Sequence, residues 1–357
     1  MTRGKGSDDL EQVGVTAARA PYVSYLGWHG KGNLGDDAIY DAVRSQLPEA
    51  TFLDLPRFPH ERIRATATGL TKSLRQSTQV VGGGTLIGRK HWRRLIGSAM
   101  KLTGGGNYAI GAGVEDPVFV GRRSGSGGNE LSRWVPLLER FDTVSVRGPR
   151  SAELLADAGF EARVSGDPAL VLPSPQAQPV DGLIGLNIGF GDDLWGHDPD
   201  RVVAQVTVAV NELAARGHRF VGVLMNADDE QWTGRALAGV SADIVRPADA
   251  AAAAAQFAGC SAVIVSRLHA GILASLSGTP VVSLEYQPKC RDFALSIDDE
   301  RSLLRTDRLT GSQLVDRVLE TLADAEAIRR RTSSAVDTLR QRLRADYAGV
   351  RAHVGLG

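Results

Sequence analysis

Cys260 and Cys290 are the only thiols in 357 residues. Two cysteines are too few for a disulfide framework, and they lack the spacing of a zinc or redox motif. That usage predicts a reducing, cytoplasmic setting. Net charge is also missing, since 41 Lys+Arg stand against 41 Asp+Glu. No global field draws nucleic acid, so nucleic acid is not an expected partner, and any anion has to be held by a local cluster. Nowhere does the chain run through about 18 consecutive apolar residues, and the opening stretch MTRGKGSDDLEQVGVTAARA has no apolar core of the signal-peptide kind. The expectation is a protein neither secreted by that route nor membrane-spanning, with residues 1–20 a disordered tail.

What is present is a globular composition, 43% hydrophobic and 23% charged, at a length that predicts two domains. Short apolar strands alternate with segments of helical period. The first series runs through strands at 21–27, 51–55, 79–83, 107–114, 143–147 and 162–166, with helices between them, one of them opening at Pro149. PSPQAQPVDG at 173–182 then breaks both periods and reads as a linker. A second series follows, with strands at 183–190, 220–225, 243–245 and 262–266, and 280–286 as the last strand. This is the βαβ rhythm of parallel sheets covered by helices. The predicted architecture is α/β: two Rossmann-like domains, 21–172 and 183–311, facing a cleft, with helices over 312–357 packing back across it.

Glycine is plentiful, 41 residues, and gathers where strands end. In open α/β sheets ligands bind outside the carboxyl ends of strands. GKGNLGDDAIYDAV at 30–43 contains a G-x-G-x-x-G between strand and helix, with Asp54 ending the next strand, which taken alone suggests a dinucleotide. Asp36 and Asp37 oppose that reading, because they put two carboxylates where a pyrophosphate would sit. Two readings remain: Asp36 caps the helix, or Asn33, Gly35, Asp36 and Asp37 face a neutral polyol. VVGGGTLIG at 80–88 delivers Gly83, Gly84 and Thr85 from another strand, for close packing or for ligand contact.

VIVSRLHAGILASLSGTPVVSLEYQPK at 263–289 carries the strongest signal. A buried strand runs into Ser266, Arg267 and His269, and Lys289 follows the next strand end. If Arg267 and His269 are still extended, their side chains point the same way. Cations emerging from an apolar strand need an anionic partner. That partner is either a ligand or one of the protein's own acids, such as Asp167. SVRGPRS at 145–151 likewise places Arg147 at a strand end, followed by SGDPAL, so Arg147 also has Asp167 as an internal alternative. His197 lies among aspartates in GDDLWGHDPD, but the spacing matches no metal-ligand pattern, and no metal is expected.

These four segments in this order resemble the polysaccharide pyruvyl transferase family over about residues 22–290. The resemblance implies a two-domain fold like that of the B-type glycosyltransferases, with an acceptor-binding first half and a donor-binding second half. It implies transfer of pyruvate from phosphoenolpyruvate onto two hydroxyls of a sugar, or of a lipid-linked oligosaccharide, as a ketal. It places Arg147, Arg267 and His269 in the donor site and Asn33, Asp36 and the Gly82–Thr85 loop toward the sugar. Phosphoenolpyruvate brings a carboxylate and a phosphate, so Arg147, Arg267 and Lys289 suit it, and a protonated His269 suits the general acid. Asp36 is the candidate base. No cofactor is implied, since phosphoenolpyruvate is a co-substrate. The rival readings are a nucleotide-sugar glycosyltransferase, with Glu285 as the acid for a ribose, and a non-catalytic anion- or sugar-binding protein. Finally, LIGRKHWRRLIGSAMKL at 86–102 reads either as an amphipathic helix on the core or as a peripheral contact with an anionic inner-membrane face.

Overall fold

The computed structural model describes residues 20–56, 59–119, 129–191 and 193–356. The tail expected over 1–20 lies, but for Ala20, outside them.

The first sheet comprises β1 (Tyr22–Leu26), β2 (Thr51–Asp54), β3 (Thr78–Val81), β4 (Thr85–Ile87), β5 (Asn107–Val114), β6 (Thr143–Val146) and β7 (Arg163–Val164). Their order is β2-β1-β3-β5-β6-β7, with β4 added on β5. The second comprises β8 (Val180–Asn187), β9 (Arg219–Val223), β10 (Ala242–Val245), β11 (Cys260–Val265), β12 (Val281–Glu285) and β13 (Leu303–Arg305), in the order β10-β9-β8-β11-β12-β13. Every pairing is parallel, as in Tyr25↔Val80 and Val263↔Val281. Parallel neighbours need crossover helices, which cover both faces and leave strands such as TQVV at 78–81 buried throughout. Strand order reverses between β1 and β3 in one sheet and between β8 and β11 in the other. Those are the points at which such folds hold ligands.

The two halves share a core. Helix Leu34–Gln46 of the first half packs on helices Ala250–Ala258 and Leu268–Ser275 of the second, bringing Ala38, Ile39 and Ala42 together with Ala253, Phe257 and Leu273. Leu34 N donates to Met225 O at 2.9 Å, and Asn33 pairs with Asn226. The last helix, Ala325–His353, returns to the first sheet with Val336, Leu339, Leu343, Tyr347 and Val350 buried along one stripe, the three-and-four spacing of an amphipathic helix.

Several expectations need correcting. PVVSLEY is not the last strand, because β13 follows it, three residues too short to show a period. β8 begins at Val180, so the linker gives up its last residues to a strand. The 86–102 stretch is not one helix: Leu86 and Ile87 belong to β4, and the helix spans Lys90–Ala99. Its apolar residues Trp92, Ile96 and Ala99 lie in the core with Trp134, Leu137 and Leu138, so a headgroup contact would rest on the exposed cations alone. Among the described residues, no helix is long and apolar enough to cross a membrane, and no cluster of metal-ligating side chains forms.

Candidate functional site

β1 ends in a glycine loop in which Gly30 and Gly32 take φ of 69° and 72°, a left-handed conformation that glycine adopts without steric cost. Asp37 Oδ1 closes the loop by accepting from Gly30 N at 2.7 Å. Helix Leu34–Gln46 then begins. Its cap is Asn33, whose Oδ1 accepts from Gly35 N at 3.1 Å, and Asp36 is not the cap. Asn33 Nδ2 donates to Asp36 Oδ2 at 2.6 Å. Asn33 and Asp37 therefore hold the loop and the helix end. Asp36 is left beside the second loop: a Cβ on Gly84 would stand 4.0 Å from its Oδ1. Burial raises its carboxyl above the ordinary range, against the pull of His269 and then Lys289.

β3 delivers the second loop. Gly83 is a packing glycine, its missing Cβ 2.9 Å from Pro168 Cδ, whereas Gly84 turns at φ 92°. Thr85 Oγ1 accepts from Arg147 Nη2 at 3.4 Å. Arg147 follows β6, is 1% exposed, and lies over the bare Cα of Gly113. Its ion-pair partner is Asp292 rather than Asp167, with Nε 3.4 Å from Oδ2. Asp292 comes from helix Pro288–Ser296 of the second half, an element the sequence reading passed over. Its carboxylate also accepts from Ser151 N at 3.0 Å and Ser151 Oγ at 2.7 Å, capping helix Pro149–Asp157 across the domain boundary.

In the second half, Arg267 stands at the N-cap position of helix Leu268–Ser275, and His269 is already inside that helix, so the two do not share an extended backbone. Arg267 has an internal acid, which is Asp229: Nε and Nη2 lie 2.9 and 2.6 Å from Oδ1. Asp229 is 0% exposed, and its Oδ2 accepts from Asn187 Nδ2 and Met225 N. Ser266 Oγ is taken up by the backbone, accepting from Gly189 N and donating to Gly189 O, each at 2.7 Å. The imidazole of His269 lies between the two halves. Its Nδ1 edge covers Gly35, where a Cβ would stand 2.5 Å away, and its Nε2 is 3.6 Å from Asp167 Oδ2. Burial opposes the charge on Asp167, but His269 and then Arg147 hold that carboxyl below the ordinary range.

Lys289 differs from both arginines. Its Nζ lies 4.8 Å from the Tyr286 ring centroid, and among the described residues it has no acidic partner. Burial pushes it down to about 8, helped by Arg89, Arg147 and Arg267 around it. Arg89 was legible only as part of a basic stretch. It reaches the same cleft from the start of helix Lys90–Ala99, with Nε 3.3 Å from Glu115 Oε2. The structure thus gathers Asp36, Gly84, Thr85, Arg89 and Arg147 from one half and Arg267, His269 and Lys289 from the other. The rival acid Glu285 is held by Arg291 through two contacts of 3.0 and 2.7 Å.

A family model described as Polysaccharide pyruvyl transferase matches residues 33–288, a span holding Asn33, Asp36, the Gly82–Thr85 loop, Arg147, Asp167, Arg267 and His269. No curated protein matches the chain significantly. Among solved structures, a putative UDP-N-acetylglucosamine 2-epimerase from Listeria monocytogenes aligns with a TM-score of 0.60 at 13% identity, covering 95% of this chain and 98% of that one. S. aureus MnaA, in a co-structure with UDP, gives 0.58 at 12%, over 95% and 98%. A UDP-glucosyltransferase from Polygonum tinctorium gives 0.53 at 13%, over 95% and 99%. At such identities the likeness shows the fold alone, two Rossmann-like domains facing a cleft.

Proposed function

Because the chain belongs to the polysaccharide pyruvyl transferase family, we propose that it moves pyruvate from phosphoenolpyruvate onto two hydroxyls of a sugar in a polysaccharide or glycolipid precursor. The observation that carries the reading is the buried Lys289, without an ion-pair partner among the described residues and repelled by Arg89, Arg147 and Arg267. A dianionic phosphate and a carboxylate supply the charge that this cluster lacks, each charge-assisted hydrogen bond contributing about 1.5–3 kcal/mol.

The chemistry balances with one acid and no redox step. His269 gives a proton to the vinyl carbon, forming the C–H bond of a methyl group and leaving an oxocarbenium-like centre. One sugar hydroxyl attacks that centre, and its proton restores the acid or passes to Asp36, whose raised carboxyl sits beside the imidazole. The C–O bond to phosphate then breaks. A second hydroxyl closes the ketal, and its proton leaves with phosphate. Gly84, whose missing Cβ would stand 4.0 Å from Asp36 Oδ1, would face the sugar together with Asp36. The acceptor is a free or lipid-linked glycan, and the exposed Lys90 and Arg94 are the residues that would meet an anionic membrane face.

A second reading, a nucleotide-sugar enzyme, is favoured by the fold likeness to UDP-named structures. Against it, Arg291 already occupies Glu285. Phosphate release from phosphoenolpyruvate with a pyruvate ketal on the acceptor supports the first. Consumption of a UDP-sugar, with phosphoenolpyruvate left intact, supports the second.

A further inference from the structure

Asp167 is a fully buried carboxylate with its two oxygens in different circumstances. Oδ1 caps the turn Pro168–Val171 by accepting from Ala169 N at 3.0 Å. Oδ2 has no hydrogen-bond partner among the described residues, and neither does His269 Nε2, 3.6 Å away. Two buried polar atoms of opposite character, facing each other and otherwise unsatisfied, are costly unless they serve one another. The surroundings leave few competitors. Tyr25 and Tyr347 also lie in the field of the carboxylate; burial keeps both protonated, so neither adds a charge, and the Tyr347 hydroxyl has no hydrogen-bond partner among the described residues. Arg147 acts on Asp167 more weakly than His269 does. The opposite edge of the imidazole, Nδ1, packs over Gly35, which has no Cβ to obstruct it, and the ring acts on the Asp36 carboxyl.

We infer that Asp167 is a positioning residue: its Oδ2 holds the proton on His269 Nε2 and so turns Nδ1 toward the substrate. This rests on the acid role given to His269 above. The separation of 3.6 Å is an ion-pair distance rather than a hydrogen bond, and contacts of this kind tighten when the substrate is bound. With Nε2–H fixed on Asp167, the proton delivered to the vinyl carbon is the one on Nδ1, and the ring left behind is the neutral Nε2–H tautomer. A carboxylate that sets a tautomer in this way acts on turnover far more than on binding.

Asp167→Asn isolates the effect. Its side-chain oxygen still accepts from Ala169 N, which orients the amide, and its NH₂ then faces Nε2, donor against donor. The expected result is a fall in kcat of about 10²-fold or more, with the KM for phosphoenolpyruvate within a few-fold of the parent. Nitrogen-15 spectra of the full-length protein without substrate, with the His269 signal assigned by its loss in His269→Gln, are expected to show Nε2–H in the parent and Nδ1–H in Asp167→Asn. A parent ring protonated on Nδ1 alone overturns the inference even if the variant does not fold. So does an Asp167→Asn protein that keeps the parent tautomer and turnover within threefold. The spectra need no reaction, so a parent with the Nε2–H form and no phosphate release would overturn the pyruvyl-transfer reading and leave standing only that Asp167 sets the tautomer of His269.

Discussion

His269 and Lys289 come from the same half of the chain yet face opposite electrostatic problems. His269 stands between the carboxylates of Asp36 and Asp167, whereas Lys289 has the more distant pull of Asp36, a ring and three repelling arginines. If His269 supplies the proton, His269→Gln lowers kcat by about 10² to 10⁴ and barely changes donor affinity, measured by single-turnover kinetics beside calorimetry. If Lys289 meets the donor, as proposed, binding depends on pH. The lysine's free-state value of about 8 means that below pH 8 the ammonium is charged and ready. Above it, binding an anion must first take up a proton, so affinity falls by up to about tenfold per pH unit. Calorimetric titration across pH 7 to 10 is expected to show that decline in the parent and its loss in Lys289→Met; a flat profile in the parent contradicts it. At this scale the residue types at strand ends were legible, and Arg147, Arg267, His269 and Lys289 meet at the cleft. Asp167, offered as an internal acid for this cluster, does stand beside His269, but the partners of the arginines were not legible. Asp229 and Asp292 arrive from segments far along the chain, and Asn33, Asp37 and Ser266 are consumed by backbone groups a few ångströms away, which residue type alone does not reveal.

At the scale of elements, helix ends do much of the work. Helix Pro149–Asp157 takes its carboxylate cap from another element, Asp292 of helix Pro288–Ser296, and the same carboxylate balances Arg147. Asp292→Ala removes two buried hydrogen bonds and leaves a buried guanidinium without its acid, an expected loss of about 3–5 kcal/mol by denaturant titration. A loss under about 1 kcal/mol would mean that Arg147 has other compensation. Long strands and helices were legible because apolar runs and 3.6-residue stripes mark them directly: NYAIGAGV at 107–114 is β5 to the residue. β4 and β13, three residues each, carry no period at all. Helix Pro288–Ser296 hides behind a cysteine and a buried aspartate, whose role is set by the other domain.

The whole molecule is two sheets joined through one core, in which Ala42, Leu273 and Leu343 belong to the same cluster. That continuity expects a single cooperative transition: far-ultraviolet circular dichroism and tryptophan fluorescence coincide on denaturation. Leu343→Ala, in the returning helix, lowers the common midpoint by the equivalent of about 2–5 kcal/mol. Separate transitions would show that the halves fold independently. The rhythm of strands made two Rossmann-like halves legible, but their mutual packing rests on contacts between distant small residues, which have no signature along the chain. Under the proposed function, the cleft they form is the place where cations hold phosphoenolpyruvate while a histidine protonates its vinyl carbon. The most direct test runs the reaction in heavy water with a sugar acceptor and examines the product by proton NMR and mass spectrometry. The expected products are free phosphate and a ketal whose methyl group carries one solvent-derived deuterium. Transfer of pyruvate without solvent deuterium in that methyl, or turnover of a UDP-sugar with phosphoenolpyruvate untouched, would contradict the proposed function.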